Sequence, residues 1–263
     1  MVREGLDMMK RDKQAVLDNI PHSRAPKILY LDIETSLMTL GSFTLKTEYT
    51  PYSNIIEDFY IICAAWQFLG EKAIHSARVE KIGEDLAVVK QLRDAIESAD
   101  VIVYHNGDKF DLKKLNTRII KHRLTPLRHK IVSVDTLKEA RRIFSFSSNR
   151  LDYLGIFLGV GHKTHVDGSL WLKVLKGDLK AVKNMERYCK GDIKLGVAVY
   201  DVMKPYIRLP SIGSIISTAF KLCNACHSSK LTKRGYMLTL CGRKQRYQCQ
   251  NCGKWDFARS VEK

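Results

Sequence analysis

The sequence predicts an α/β protein with a mixed five-stranded sheet flanked by helices, followed by a small cysteine-rich unit. Short apolar runs alternate with amphipathic helical patterns between residues 27 and 205, as expected when helices cover the faces of a sheet. Five of the seven cysteines then lie within the last 41 residues. This change in composition predicts a second, separately stabilised unit at the carboxyl end.

The elements of the larger unit are predicted in the order β-β-β-α-β-α-β-α-α. Strands are expected at 27–34, 58–69, 72–79, 101–105 and 130–134, and helices at 84–98, 108–123, 135–144 and 178–205. In the first helix, apolar residues recur at helical spacing, namely Leu86, Val89, Leu92 and Ile96. Residues 35–55 contain glycine, proline and several Ser and Thr. We expect an irregular insertion there that borders the cleft.

The domain boundaries follow from composition. Residues 1–26 are predicted to form an N-terminal helical extension and residues 27–208 the sheet domain. A stretch rich in Pro, Gly and Ser at 209–220 is predicted to be a linker. Residues 221–259 are then the cysteine-rich unit.

The formal charge of +16 and a pI near 9.5 favour a polyanionic partner, namely nucleic acid. A solvated basic surface with no partner is the alternative. No apolar run has the length of a membrane span, and the first residues do not resemble a secretory signal. We therefore expect a cytoplasmic protein with no membrane partner, and the sequence leaves the oligomeric state open.

Acidic residues with informative spacing occur in three segments. Asp32 and Glu34 are one residue apart on a predicted strand, so their side chains share one face. Asp111 belongs to the segment that follows the apolar run 101–104, and Tyr188 and Asp192 are four apart on a helix. The structural alternatives are that Asp32 and Glu34 are surface acids, that Asp111 is an ordinary acid near the start of a helix, and that Tyr188 is a core residue. Burying such carboxylates without a cationic partner is costly, so convergence on divalent ions is favoured.

These segments resemble the DEDD superfamily of 3′–5′ exonucleases, over roughly residues 27–205. The first motif is Asp32-x-Glu34, the second contains Phe110-Asp111, and the third is Tyr188-x3-Asp192. The histidine variant of the third motif would need His at position 187, where Arg187 stands, so the chain resembles the tyrosine subclass. The run from Leu170-Trp171 to Asp192 looks most similar to the YprB-like branch.

The resemblance implies a ribonuclease H-like fold and two Mg²⁺ or Mn²⁺ ions held by Asp32, Glu34, Asp111 and Asp192. It also implies that Tyr188 orients the attacking water and that Asn106 and Phe110 border the terminal nucleotide. The expected activity is 3′–5′ hydrolysis at single-stranded ends, with DNA favoured over RNA. A non-catalytic nucleic-acid-binding protein, or an endonuclease or RNase on the same fold, is the alternative.

The cysteine-rich unit contains Cys223-x2-Cys226 and Cys249-x2-Cys252. Two such pairs supply the four thiolates of a structural zinc site, and the second pair resembles the knuckle of a zinc ribbon. Structural disulfides and a redox-active pair are the alternatives, and Cys241 has no partner at ligand spacing. Lys and Arg are interleaved with aromatic residues here, which predicts contact with nucleic acid or with a protein partner.

Overall fold

A computed structural model of the chain describes the following residues: 26–46, 49–128, 131–207, 223, 225–226, 228–239 and 242–257. The predicted N-terminal extension up to residue 25, the linker at 209–220 and Cys241 lie outside these residues. The domain boundaries therefore stay predictions.

The main sheet has five strands in the order β5-β4-β1-β6-β7. Its strands are β1 (Ile28–Thr35), β4 (Ile61–Phe68), β5 (His75–Arg78), β6 (Val101–Tyr104) and β7 (Val132–Asp135). Strand β1 pairs antiparallel with β4 and parallel with β6. The predicted mixed five-stranded sheet is confirmed. The insertion predicted as irregular contains a separate two-stranded ribbon, β2 (Thr39–Leu40) and β3 (Ile55–Glu57).

Six α-helices occur within the described part of the chain. They are α1 (Leu86–Ser98), α2 (Asp111–Lys121), α3 (Thr136–Ile143), α4 (Leu151–Phe157), α5 (Ser169–Leu175) and α6 (Leu179–Met203). The sequence analysis missed α4 and α5, because seven residues are too few to establish a helical period. In this part of the chain, no helix combines the length and apolar character that crossing a bilayer requires.

The core lies where the central strands meet α6. Residues 28–31 of β1 and 61–66 of β4 are apolar and buried on both faces, as expected for strands covered on both sides. Gly196 of α6 packs against β1 so closely that a Cβ atom would lie 2.1 Å from the hydroxyl oxygen of Tyr30. The missing side chain therefore allows α6 to approach the strand that carries the first acidic motif.

A buried ionic network fixes the position of α2. The carboxylate of Asp85 is fully buried. It accepts hydrogen bonds from Arg118 Nε at 2.6 Å and Nη2 at 2.7 Å, from the Ile61 amide at 2.9 Å, and contacts His122 Nε2 at 2.6 Å. The network joins the start of α1, the start of β4 and the second half of α2, whose first residue is Asp111.

Replacing Asp85 by Asn should destabilise the protein by about 3–5 kcal/mol, because Arg118 would be left buried without its counter-charge. Burial alone would raise the pKa of Asp85, but the hydrogen bonds from Arg118, Ile61 and His122 lower it below its ordinary value. Its stabilising contribution is therefore present above about pH 4 and is lost as the pH falls through the folded-state pKa.

Urea denaturation at pH 7 checks this prediction. The matched control is Asp94→Asn, since Asp94 forms an exposed pair with Arg93 and should cost at most about 1 kcal/mol. Equal stability losses in the two variants would contradict the assigned role of Asp85.

The carboxyl-terminal unit is a three-stranded antiparallel sheet in the order β10-β9-β8. Its strands are β8 (Leu231–Thr239), β9 (Gly242–Cys249) and β10 (Trp255–Phe257). Its described buried core is very small and consists of Cys223, Ala225 and Cys249. Lys254 Nζ donates a hydrogen bond to the carbonyl oxygen of Ile207, just after α6. A core this small requires a further source of stability.

Candidate active site and cysteine cluster

Strand β1 presents the first two acidic residues on one face of the sheet. Leu31 and Ile33 point to the opposite face and are buried in the core, while Asp32 and Glu34 lie between them in sequence and are partly exposed. The alternation of a strand therefore separates apolar from acidic side chains. The register of β1 with β4 shifts directly after Glu34, so the acidic pair lies where regular pairing ends.

Helix α6 brings the third motif to the same place. Carboxylate oxygens of Asp32, Glu34 and Asp192 lie within 4.8 Å of one another. Asp192 is only 4% exposed, and its Oδ1 atom is buried without a hydrogen-bond partner among the described residues. An unpartnered buried carboxylate oxygen is costly, and coordination of a cation is a role that would satisfy it.

Asp111 lies beside this group at the first position of α2. Its Oδ1 atom accepts a hydrogen bond of 3.1 Å from the amide of Ile33, the residue between Asp32 and Glu34. The side chain is buried. The backbone of β1 thus fixes the fourth carboxylate next to the acidic pair.

Burial raises the pKa values of the carboxylates in this group. Burial, followed by repulsion from Asp111, Glu34 and Asp192, raises the pKa of Asp32 well above its ordinary value. Burial first, and then the other acids, raises the pKa of Glu34 to about 8, and burial raises that of Asp111 to about 7. Hard oxygen donors of this kind suit Mg²⁺ or Mn²⁺, so the residues fit the implied ions.

A lysine that the sequence analysis did not single out lies in this site. Lys163, in the loop between α4 and α5, places its Nζ 2.7 Å from Asp192 Oδ2 and 3.2 Å from the Tyr188 hydroxyl. Its backbone amide donates to Asp152 Oδ1 at 2.6 Å, which anchors the loop. No spacing rule marks a single loop lysine, so only the tertiary structure identifies it.

The Tyr188 hydroxyl faces the same group. Burial and the charge of Asp192 raise the pKa of Tyr188 to about 12. The edge of its ring meets Trp171, with the two ring centroids 6.3 Å apart. Tyr188 is therefore neutral at pH 7 and can orient a water molecule by hydrogen bonding, but it is a poor base.

A buried thiol forms the floor of the site. Cys189 follows Tyr188 on α6, and its Sγ donates to Asp32 Oδ2 at a distance of 3.3 Å. Cys63 of β4 is also buried, as the sequence analysis expected, and pairs in register with Glu34. Two buried thiols therefore adjoin the acidic pair of β1.

The two residues expected to border the nucleotide lie in the segment between β6 and α2. Asn106 has a φ of 70°, and its amide donates to Asp135 Oδ1 at 2.9 Å. Phe110 is 38% exposed and directly precedes Asp111, so its ring is not part of the core. Their contact with substrate stays a prediction.

The four cysteines of the carboxyl-terminal unit come together. Their sulfur atoms lie within 4.8 Å of one another, with Cys223 to Cys252 and Cys226 to Cys249 each at 3.5 Å. Tetrahedral zinc with Zn–S bonds of about 2.3 Å requires sulfurs roughly 3.8 Å apart. The set fits zinc and, because all four ligands are protein thiolates, it leaves no open coordination position.

The mixed sheet and the acidic group that joins β1, α2 and α6 define a ribonuclease H-like protein, a class whose members are typically nucleases. The chain belongs to the RNase_H superfamily, whose family model, RNase_H_2, matches residues 29–204. The expected ribonuclease H-like fold is confirmed. The tyrosine subclass and the YprB-like branch stay predictions.

Among solved structures, the family B DNA polymerase from the hyperthermophilic archaeon Pyrobaculum calidifontis is similar, with a TM-score of 0.50 and 17% sequence identity. The match covers 70% of this chain and 25% of the polymerase. The chain thus spans about a quarter of that protein, and the likeness shows the fold alone. No curated protein matches the sequence.

Replacing Lys163 by Met should tighten Mn²⁺ binding roughly tenfold, because a positive charge in direct contact with Asp192 competes with the ion. Titration calorimetry of the metal-free protein with Mn²⁺ measures this change. Lys190→Met is the control, since Lys190 pairs with Glu186 on the same helix and should leave the affinity unchanged. Weaker Mn²⁺ binding in Lys163→Met would show that the lysine supports the ion site instead.

Proposed function

We propose that the chain is a metal-dependent 3′–5′ exonuclease that hydrolyses phosphodiester bonds at single-stranded nucleic-acid ends, with DNA favoured over RNA. The observation that carries the proposal is the convergence of Asp32, Glu34 and Asp192, with Asp111 beside them, in a half-buried site with raised pKa values. Carboxylates with raised pKa values ionise more readily when cations are bound beside them, so this cluster suits divalent cations.

Asp32, Glu34, Asp111 and Asp192 would hold two Mg²⁺ or Mn²⁺ ions. When bound, such ions stabilise the charge on the attacking and leaving oxygens of a phosphodiester displacement. The orphaned Oδ1 of Asp192 supports this assignment, because a bound cation would satisfy it.

The remaining residues of the site would position the attacking water and the terminal nucleotide. Tyr188, neutral at pH 7, would orient the attacking water through its hydroxyl. Lys163 holds that hydroxyl and Asp192 in place, and its ammonium group faces the region where a phosphate would enter. Asn106 and the exposed ring of Phe110 would border the terminal nucleotide.

The zinc ribbon, here the unit formed by β8, β9, β10 and the four cysteines, would hold one structural Zn²⁺ and tether the nuclease to its substrate. Residues 209–263 contain ten Lys or Arg and two acids, a net charge of +8. Arg243 lies 3.9 Å from the ring centroid of Tyr236, and Arg246 lies 4.5 Å from that of Trp255. Paired cations and rings suit phosphates and unpaired bases. A protein partner is the alternative occupant.

A nuclease assay with Mg²⁺ or Mn²⁺ on end-labelled single-stranded DNA, a circular single strand and a matched RNA tests the proposal. Wild-type protein should shorten the linear DNA from its 3′ end, while Asp32→Asn should be inactive but folded. Tyr188→Phe should slow turnover by about a hundredfold, as for loss of one positioned hydrogen-bond donor, with little change in KM.

Each of the other outcomes would indicate a different function. Cleavage of the circular strand would indicate an endonuclease. Preferential degradation of the RNA would indicate an RNase. Binding without any cleavage would identify a non-catalytic nucleic-acid-binding protein. Full activity of the Asp32→Asn variant would show that the acidic group is not the active site.

The double substitution Arg243→Ala/Arg246→Ala should flatten the salt dependence of single-stranded DNA binding. Each lost phosphate contact lowers the slope of log K against log salt by about 0.7, so the two together should lower it by about 1.4. Fluorescence anisotropy at several salt concentrations measures the slope, with Lys72→Ala in the exposed turn between β4 and β5 as the control. An unchanged slope would favour a protein partner for the ribbon.

A further inference from the structure

A two-stranded arm leaves the sheet directly after the first acidic motif. This aromatic arm, residues 36–57, consists of β2, β3 and a 3₁₀ turn at Tyr52–Asn54, and residues 47 and 48 within it lie outside the described part of the chain. Gly41 N donates to the Asn54 carbonyl at 2.9 Å, and Asn54 Nδ2 donates back to the Gly41 carbonyl at 3.1 Å. The arm is therefore a hydrogen-bonded ribbon.

The arm presents an unusual share of the apolar surface. Among the described residues, 21 large hydrophobic side chains are exposed, and nine of them belong to the arm: Leu37, Met38, Leu40, Phe43, Leu45, Tyr49, Tyr52, Ile55 and Ile56. Phe43 is 105% exposed and Tyr52 87%. Exposed apolar side chains concentrated in one segment mark an interaction site.

The charge of the arm differs from that of the protein. Of its 22 residues only Lys46, Glu48 and Glu57 are charged, in a chain with 27% charged residues and a net charge of +16. The arm therefore offers little positive charge to phosphates. What it offers to a ligand is ring faces and apolar edges.

The root of the arm lies at the site. The Ser36 amide donates to the Tyr60 carbonyl at 2.9 Å, and the Tyr60 amide donates to Ser36 Oγ at 3.0 Å. The chain that enters the arm two residues after Glu34 is therefore joined to the chain that leaves it. Just after the arm, the ring of Phe59 lies under Lys114, whose Nζ is 3.5 Å from its centroid and 5.9 Å from that of Phe110. The arm therefore starts beside the predicted pocket for the terminal nucleotide.

We propose that the aromatic arm is a stacking platform for unpaired bases of the substrate strand, a few nucleotides before the end that is cut. Phe43, Tyr49 and Tyr52 would provide the ring faces. The inference rests on the proposed function, in that the ligand is a nucleic-acid strand that enters the acidic site. The basic remainder of the protein attracts the phosphates, which leaves the uncharged arm to contact the bases. Bases in a duplex are already stacked, so the arm would favour single strands.

Binding measured without turnover tests the arm separately from the chemistry. In an Asp32→Asn background, Phe43→Leu/Tyr52→Leu keeps the apolar area and removes two rings. We expect affinity for a 12-nucleotide single strand to fall tenfold or more, since base–aromatic stacking makes a contribution of that size. The affinity for a trinucleotide, which fills only the site, and the salt slope of the 12-mer should not change.

The matched control is Leu45→Ala/Ile56→Ala, which removes exposed aliphatic groups from the same arm and should leave the 12-mer affinity unchanged. An unchanged 12-mer affinity in the ring variant overturns the proposal. An equal loss in the aliphatic variant also overturns it and indicates an apolar protein partner. If the ring variant loses 12-mer affinity but the wild-type protein cleaves no strand, the arm proposal stands and the proposed nuclease function fails.

Discussion

The structure depends on one electrostatic constraint, which is that four carboxylates must be held together where water cannot fully screen them. Burial, and for Asp32 and Glu34 also repulsion from the neighbouring acids, raises the pKa values of Asp32, Glu34 and Asp111. Only a rigid framework can keep such groups in place. Here the framework consists of backbone: the β1 ladder, the Ile33 amide on Asp111 and the close approach of α6 to β1.

The buried carboxylate of Asp85 has a structural role, and its surroundings differ from those of Asp192 in the acidic site. Asp85 receives a bidentate arginine, a backbone amide and a histidine contact, and its pKa is lowered. Asp192 has one lysine and an orphaned oxygen, and burial leaves its pKa raised. The first acid is saturated with donors and fixes α2. The second keeps an unfilled position, and this contrast separates framework from candidate chemistry on physical grounds.

The features that could be predicted from the sequence are those that depend on residue periodicity and spacing. The period of two placed Asp32 and Glu34 on one face, the four-residue step joined Tyr188 to Asp192, and the 25-residue α6 was long enough to recognise. The two- and three-residue strands β2 and β3 and the seven-residue helices α4 and α5 carry too little pattern to predict. Pairings such as Asp85 with Arg118, or the arrival of Lys163 at Asp192, join residues about 30 apart through tertiary packing. No local pattern specifies them.

The distribution of charge explains why the site needs help to hold a polyanion. An acidic cluster repels phosphate until cations are bound, so attraction must come from elsewhere in the chain. The last 55 residues, which include the cysteine-rich unit, carry half of the net charge of +16, whereas the arm beside the site is nearly uncharged. Long-range attraction and short-range contact are thus assigned to different segments.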